Sequence, residues 1–402
     1  MTVPNLPRLA LLFAQFSAYH IDRCEAVAAR MGSRFDVLAV EVATRSETYA
    51  WDASGAVGGA RKLTLFPGAN YDAVHWLRRL SAQFMALWRC RVVLVGIGYN
   101  EPDIVILSWL LRLCGVRVVM LSESKFDDKP RRAGFELFKA LLLSAYSAAI
   151  VGGRRHLDYA RFLGFRTRPV LPGYDTVGLN RVRAMGGAAA PQGMAYAERP
   201  FVFVGRFVDK KGLFDLAAGY ALYATAAGDH ARRLVLVGAG PEEPGLRSRI
   251  AELGIARLVD FPGFLGAEAV ARQLADALAL VLVSREEQWG LVVNEALAFG
   301  LPVIVSEPVG ARDALVRNLI NGFVVEPGAA DSLAAALHSL ASDAALWQRM
   351  VAAAHARAWL GDTERLADAV EALCGEGTEA ARERIAAFLT ELGNPALANA
   401  RK

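Results

Sequence analysis

From Phe201 onward one short pattern recurs: a run of β-branched and other apolar residues, a turn, then a helical stretch. The runs are Phe201-Val202-Phe203-Val204, Leu234-Val235-Leu236-Val237, Leu258-Val259-Asp260-Phe261, Leu280–Val283 and Val303-Ile304-Val305. Strands without alternation are buried on both faces. When helices separate them, they pair parallel through right-handed crossovers. The first half carries a looser version. Arg8–Phe13 is followed by a polar turn and a helical segment to about Met31, and Phe35–Val42 reads as the next strand. Apolar runs at Val92–Val95, Asp103–Leu111 and Val116–Leu121, with helical stretches between them, lead to Ala148–Val151 and Arg168–Leu171. The fold class is therefore α/β. At 402 residues the chain exceeds one ordinary core, so two doubly wound domains are expected.

The Gly/Ala/Pro-rich stretch 186–199 reads as the linker. It separates a first domain, 1–185, from a second, 200–379. The segment from Ala344 to Lys402 has apolar spacing near 3.6 and should be helical, with 380–402 able to pack back on the first domain. Two such domains joined by a hinge would leave a cleft at the carboxyl ends of both sheets, where open α/β sheets bind ligands.

Composition narrows the classes. The four cysteines, Cys24, Cys90, Cys114 and Cys374, show no CxxC spacing, so they read as reduced, mostly buried thiols. The six histidines include no ligand-spaced pair, and no metal site is expected. The start, Met1 to Arg8, lacks a signal-peptide pattern, and no run reaches the length of a spanning helix. A cytoplasmic protein is expected, with the inner face of the membrane as a further location. Residues 1–180 hold 23 Lys and Arg against 15 Asp and Glu, a net of +8. That excess suits an anionic membrane or a lipid-diphosphate acceptor, although a solvated surface explains it equally well.

Chemistry concentrates on four loops that follow second-half strands. Ser284 to Leu297 places Glu287 and Glu295 on either side of a strand-to-helix turn. Such a turn offers free backbone amides to an anion, and the flanking carboxylates can accept hydrogen bonds from sugar hydroxyls. By spacing alone, the two glutamates are also what solvated charges near a helix start look like. Upstream, Arg206 and Lys211 follow a strand five residues apart and could neutralise a diphosphate without a metal, although two surface cations near a turn look the same. Gly238-Ala239-Gly240 lacks the third glycine of a dinucleotide loop and reads as a simple strand-to-helix turn. Phe261-Pro262-Gly263-Phe264 ends a strand in a turn that by itself is a packing feature, although its backbone could border a nucleobase.

Taken together and in order, these motifs resemble the family-4 retaining glycosyltransferases of the GT-B fold. The resemblance covers about 200 to 330 and extends through Ala298–Ile304 and Asn321–Gly328. It implies two Rossmann-like domains facing across a cleft. It also implies transfer of a hexose, with retention, from a nucleotide diphosphate sugar of UDP or GDP type to a hydroxyl acceptor. That acceptor would be a glycan, a lipid-linked sugar or a small molecule, in polysaccharide or glycolipid synthesis. No separate cofactor and no nucleic-acid partner are implied. Arg206 and Lys211 would bind the diphosphate. Glu287 would contact the transferred sugar, with the amides around Trp289, Gly290 and Leu291. Glu295 would take the ribose hydroxyls, and Gly238, Gly263 and Phe264 would border the nucleotide.

The first half departs from that pattern. Its first loop, Gln15 to Arg23, has no glycine pair, so Gln15, Ser17, His20 or Arg23 would supply side-chain contacts instead. Many members carry a His where this chain reads Leu121-Ser122-Glu123-Ser124, which makes Glu123 the candidate for acceptor orientation or base work, with helix capping by this Ser-rich turn as the competing explanation. Phe126 to Arg132 reads as a mobile basic loop or as a solvated turn, and Gly173-Tyr174-Asp175 as structural. A nucleotide-sugar epimerase, a phosphorylase, or a non-catalytic sugar-nucleotide or glycan binder would share the architecture.

Overall fold

The computed structural model describes residues 6–46, 55–375 and 377–393. It divides into two units, Met1–Thr176 with Thr363–Lys402, and Val177–Asp362. The first unit carries strands β1 (Arg8–Phe13), β2 (Asp36–Arg45), β3 (Arg61–Asn70), β4 (Val92–Val95), β5 (Arg117–Ser122), β6 (Ala148–Val151) and β7 (Val170–Pro172). They form one seven-stranded sheet in the order β3-β2-β1-β4-β5-β6-β7, parallel throughout. The second unit carries β8 (Phe201–Val204), β9 (Leu234–Val237), β10 (Val259–Gly263), β11 (Ala279–Leu282), β12 (Val303–Ser306) and β13 (Gly322–Val325). They form a six-stranded sheet, β10-β9-β8-β11-β12-β13, also parallel. Central strands such as β4, β9 and β11 are buried along their whole length. That burial is why their sequences run apolar without alternation.

Three differences from the sequence reading have physical causes. Asp103–Leu111 is not a strand but lies in the helix Pro102–Leu113. Pro102 opens that helix, and Ile104, Leu107 and Leu111 face the core at helical spacing. Strand β3 escaped notice because it is an edge strand, half-exposed, with Pro67 and Gly68 inside it. The stretch 186–199 lies within the second unit and is packed there. Ala190 is buried, its N–H donating to Phe299 O (3.0 Å) and its carbonyl bonded to His355 Nε2 (2.6 Å). Buried Arg199 donates to the carbonyls of Ala275 (2.8 Å) and Ala277 (3.0 Å). The chain instead passes between units at Thr176/Val177 and returns at Asp362/Thr363.

After that return, the helices Glu364–Leu373 and Glu379–Glu391 belong to the first unit. Residues 394–402 of the expected terminal helix lie outside the described residues. The helix Glu364–Leu373 packs on the helix Ala18–Met31, and a charge cluster joins them. Buried Asp368 accepts from Arg30 (2.7 Å) and Arg384 (2.6 Å), and buried Glu371 accepts from Arg30 (2.9 Å) and Arg34 (3.3 Å). Cys24 and Cys90 are buried, Cys374 is half-buried, Cys114 is exposed, and all four are free thiols.

Candidate functional site

In the second unit the strand order turns outward in both directions from β8 and β11, which are neighbours. Loops leaving the carboxyl ends of two such strands diverge and open a crevice between them. The loop after β8 is Gly205–Gly212, and the loop after β11 is Val283–Leu291. All of the predicted charged donor residues sit on these two loops, except Glu295, which follows in the next helix.

The loops are locked to each other. The amide of Arg285 donates to Lys210 O (2.8 Å), and Ser306 Oγ donates to Ser284 O (2.5 Å). Gly212, at φ +65°, heads the helix Leu213–Ala227, and a Cβ there would lie 2.4 Å from Val283 O. Only glycine permits that approach. Gly212→Ala is expected to cost about 1–3 kcal/mol by forcing these loops apart. Chemical denaturation of the purified variant measures it, and an unchanged midpoint would contradict the packing argument.

Lys211 Nζ forms an ion pair with Glu287 Oε2, and Ser284 Oγ donates to the same oxygen at 3.1 Å. Glu287 also bridges Val309 in a short parallel pairing, which fixes its backbone beside the loop after β12. Arg206 is exposed at the end of β8. Arg285, which is not a predicted site residue, is held by Asp215 (2.9 and 3.0 Å) and Asp209 (3.1 Å). Thus a guanidinium, an ammonium and a carboxylate gather at one switch point.

Downstream, Gly290 (φ +97°) turns the chain toward Leu291 and the helix Val292–Ala298. That helix is only seven residues long, so individual amides at its start count for more than any macrodipole. Trp289 is buried and its indole N–H donates to Asn294 Oδ1 (2.9 Å), while Asn294 Nδ2 donates to Gly361 O (3.1 Å). The tryptophan therefore anchors the turn through its ring, leaving only its backbone near the crevice. Glu295 is half-buried in the first turn of the helix.

Gly238 leaves β9 at φ +138°, where a Cβ would lie 1.9 Å from Gly205 O. Its amide donates to Gly263 O (2.9 Å), which ties the turn after β9 to the end of β10. Phe264 follows, its ring exposed. Gly238, Gly263 and Phe264 thus line the same carboxyl edge as Arg206, one and two strands away.

His20 and Glu123, in the first unit, have other neighbours. His20 Nδ1 accepts from the Ser17 amide (3.1 Å) and lies 3.2 Å from Ser17 Oγ, so the imidazole caps its own helix. Burial and then the charge of Arg23 hold it well below the usual histidine range, and it is neutral at physiological pH. Glu123 follows β5 and lies against Asp175. Burial first, and then the Glu123 carboxyl, raise buried Asp175 well above the usual carboxylate range. The chain between Phe126 and Arg132 is pinned. Lys125 pairs with Asp127 (3.1 Å) and Asp128 (3.2 Å), and Arg131 Nε donates to Phe126 O (2.8 Å).

Sequence reasoning did not single out Ser284 or Asn294. Ser284 and Asn294 lie inside 284–297, but their partners are set by folding. Asp175, read as part of a structural turn, is buried there.

Among the described residues, no three His, Cys, Asp or Glu side chains converge as metal ligands, and no helix is long and apolar enough to cross a membrane. Solved structures with this architecture are glycosyltransferases of the GT-B fold. Sucrose-phosphate synthase from Thermosynechococcus elongatus superposes with TM-score 0.69 at 19% identity, over 92% of this chain and 98% of that one. Anabaena HepE in complex with UDP-glucose superposes with TM-score 0.67 at 16% identity, over 92% and 99%.

Residues 193–357 match the family described as Glycosyl transferases group 1. D-inositol 3-phosphate glycosyltransferase of Streptomyces griseus is 38% identical over 135 residues, which is 33% of this chain and 28% of that protein. Alignments with curated relatives span between 28% and 39% of those proteins' own length. The matched region contains both switch-point loops, and together these findings support a glycosyltransferase.

Proposed function

We propose that this chain is a retaining hexosyltransferase of family-4 type, taking a sugar from a nucleotide diphosphate donor to a hydroxyl acceptor. The observation that carries the reading is the switch point of the second unit, where Arg206 and the Lys211–Glu287 pair gather on adjoining loops. In this reading Arg206 and Lys211 stabilise charge on the departing diphosphate, together with amides near Gly290. Glu287, held by Lys211 and Ser284, positions the transferred sugar, and Glu295 accepts from the ribose hydroxyls. Glu123 orients the acceptor in the first unit, while His20 supports its helix. The charge comes from side chains, so the reaction proceeds without a metal. Retention follows from the family resemblance, and proton NMR of the anomeric product reads it out. The reading also assigns the enzyme to polysaccharide or glycolipid synthesis in the cytoplasm.

A thermal-shift panel of UDP-, GDP- and ADP-sugars tests the donor assignment. HepE was crystallised with UDP-glucose, so UDP-sugars head the panel. Ligand at about 100 times its Kd should add roughly 2.7 kcal/mol of stability, and a chelator should leave the shift unchanged. No stabilisation by any nucleotide sugar would overturn the reading.

A further inference from the structure

The helix Ala133–Leu142 of the first unit is inside out for a helix facing water. Its carboxylate is buried: Glu136 accepts from Lys139 Nζ (2.8 Å) and from the hydroxyl of Tyr159 (2.6 Å). Its large apolar side chains point outward, with Phe135 59%, Leu137 74%, Phe138 52% and Leu141 64% exposed. A surface helix normally does the reverse, because each exposed apolar side chain orders or excludes water at a cost. The feature does not stop at one helix. The helix Pro102–Leu113 covers the same face of the sheet, since Ile104, Leu107 and Leu111 share a core cluster with Leu143, Tyr146 and Leu157. Arg112 ties it to the turn that follows the helix Ala133–Leu142, donating to the carbonyls of Ser144 (3.0 Å) and Ala145 (3.3 Å). That second helix exposes Trp109 and Leu113. Exposed apolar side chains are therefore carried by both crossover helices that meet at the turn Leu143–Ala145.

Charge around this surface has one sign in excess. Residues 125–168 hold ten Lys and Arg and four Asp and Glu, a net of +6. Of these, Lys129, Arg132 and Arg166 are exposed. An apolar ridge with a cationic border matches the interface of an anionic bilayer, where rings enter the acyl boundary and long basic side chains reach phosphate. A second copy of the chain fits less well. An isologous contact would press this cationic surface against itself. We propose that this face of the first unit docks on a membrane surface rich in anionic phospholipid headgroups. The inference stands independently of the transferase reading.

Vesicle sedimentation of the full chain tests it, comparing phosphatidylcholine vesicles with vesicles that also contain phosphatidylglycerol. The chain should partition only to the anionic vesicles, and rising salt should release it. The double variant Phe135→Ser/Phe138→Ser should lower the partition coefficient by about tenfold or more. Arg132→Glu/Arg166→Glu should also lower it by about tenfold or more. Circular dichroism melts show whether each variant is folded, and all four substituted side chains are exposed. Three results would overturn the proposal. One is no partition to anionic vesicles at low salt. Another is partition unchanged by the serine variant. The third is a wild-type dimer in analytical ultracentrifugation that the serine variant turns into a monomer, which would assign the face to a second copy.

Discussion

Lys211→Ala is expected to lower the rate of sugar transfer by roughly 10²- to 10³-fold, the scale seen when one preorganised charge donor is removed from a reaction centre. Two losses combine. The ammonium no longer faces the site where negative charge develops. In addition, Glu287 loses its counter-charge while keeping Ser284 Oγ at 3.1 Å, so its carboxylate is held less firmly. Glu287→Gln separates the two effects. It keeps the shape and a hydrogen-bond acceptor but removes the charge that holds Lys211, so a smaller loss is expected than for Glu287→Ala. Initial rates with the donor identified by thermal shift measure both, and melting curves report whether the loops remain folded. Transfer by Lys211→Ala within about twofold of the parent would remove Lys211 from the proposed chemistry.

Asp368→Ala is expected to destabilise the protein by about 3–5 kcal/mol, as when one partner is taken from a buried charge cluster. Asp368 receives Arg30 at 2.7 Å, Arg384 at 2.6 Å and Arg365 at 3.1 Å. Without it, three guanidinium groups converge with only the neighbouring carboxylates left to oppose them. The cluster is also where the chain, after leaving for the second unit, is fastened back to the first. The loss should therefore appear in the first unit, as early exchange of amides in the helix Ala18–Met31. Equilibrium denaturation measures the energy, and a change below about 1 kcal/mol would show that the helix packing suffices without the charges.

The same cluster gives a pH dependence. Burial would raise the Glu371 carboxyl, but hydrogen bonds from Arg30 and Arg34 outweigh it and hold the group below its ordinary value of 4.5. A carboxylate depressed by folding adds stability that is present above its unfolded value. That stability is lost as pH falls through the folded one. Stability should accordingly decline as pH drops below about 4.5, and Glu371→Gln should flatten that limb. Asp175 works in the opposite direction to Glu371, and His20 in the same direction at its own range. Asp175, raised by burial, takes stability away as pH rises above its ordinary 3.8, and His20, lowered by burial, does so as pH falls below 6.5.

Much of this molecule can be read from its residues because parallel strands buried on both faces need unbroken apolar runs. Val92–Val95, Ala148–Val151, Phe201–Val204 and Leu234–Val237 coincide with strands to the residue. The same rule misleads where a helix is also apolar on most sides, as in Pro102–Leu113. It is silent at an edge strand such as Arg61–Asn70, which needs little burial. The unit boundary was hidden because glycine and proline mark turns whether or not the turn is buried. At 186–199 the carbonyls and Arg199 found partners inside the second unit.

The sequence by itself determined five of the six strands of the second sheet, the loops that leave their carboxyl ends, and the charged residues on those loops; the edge strand Gly322–Val325 was not read as one. Strand order is a matter of pairing, and pairing follows from crossover geometry that no local pattern encodes. Only the tertiary structure therefore decided that β8 and β11 are neighbours, and that Lys211 meets Glu287 across 76 positions of chain. It alone also decided that one helix of the first unit turns its carboxylate inward and its phenylalanines out. Amphipathic spacing says that a helix has two faces, and the packing of Tyr159 and Lys139 on Glu136 says which one faces in.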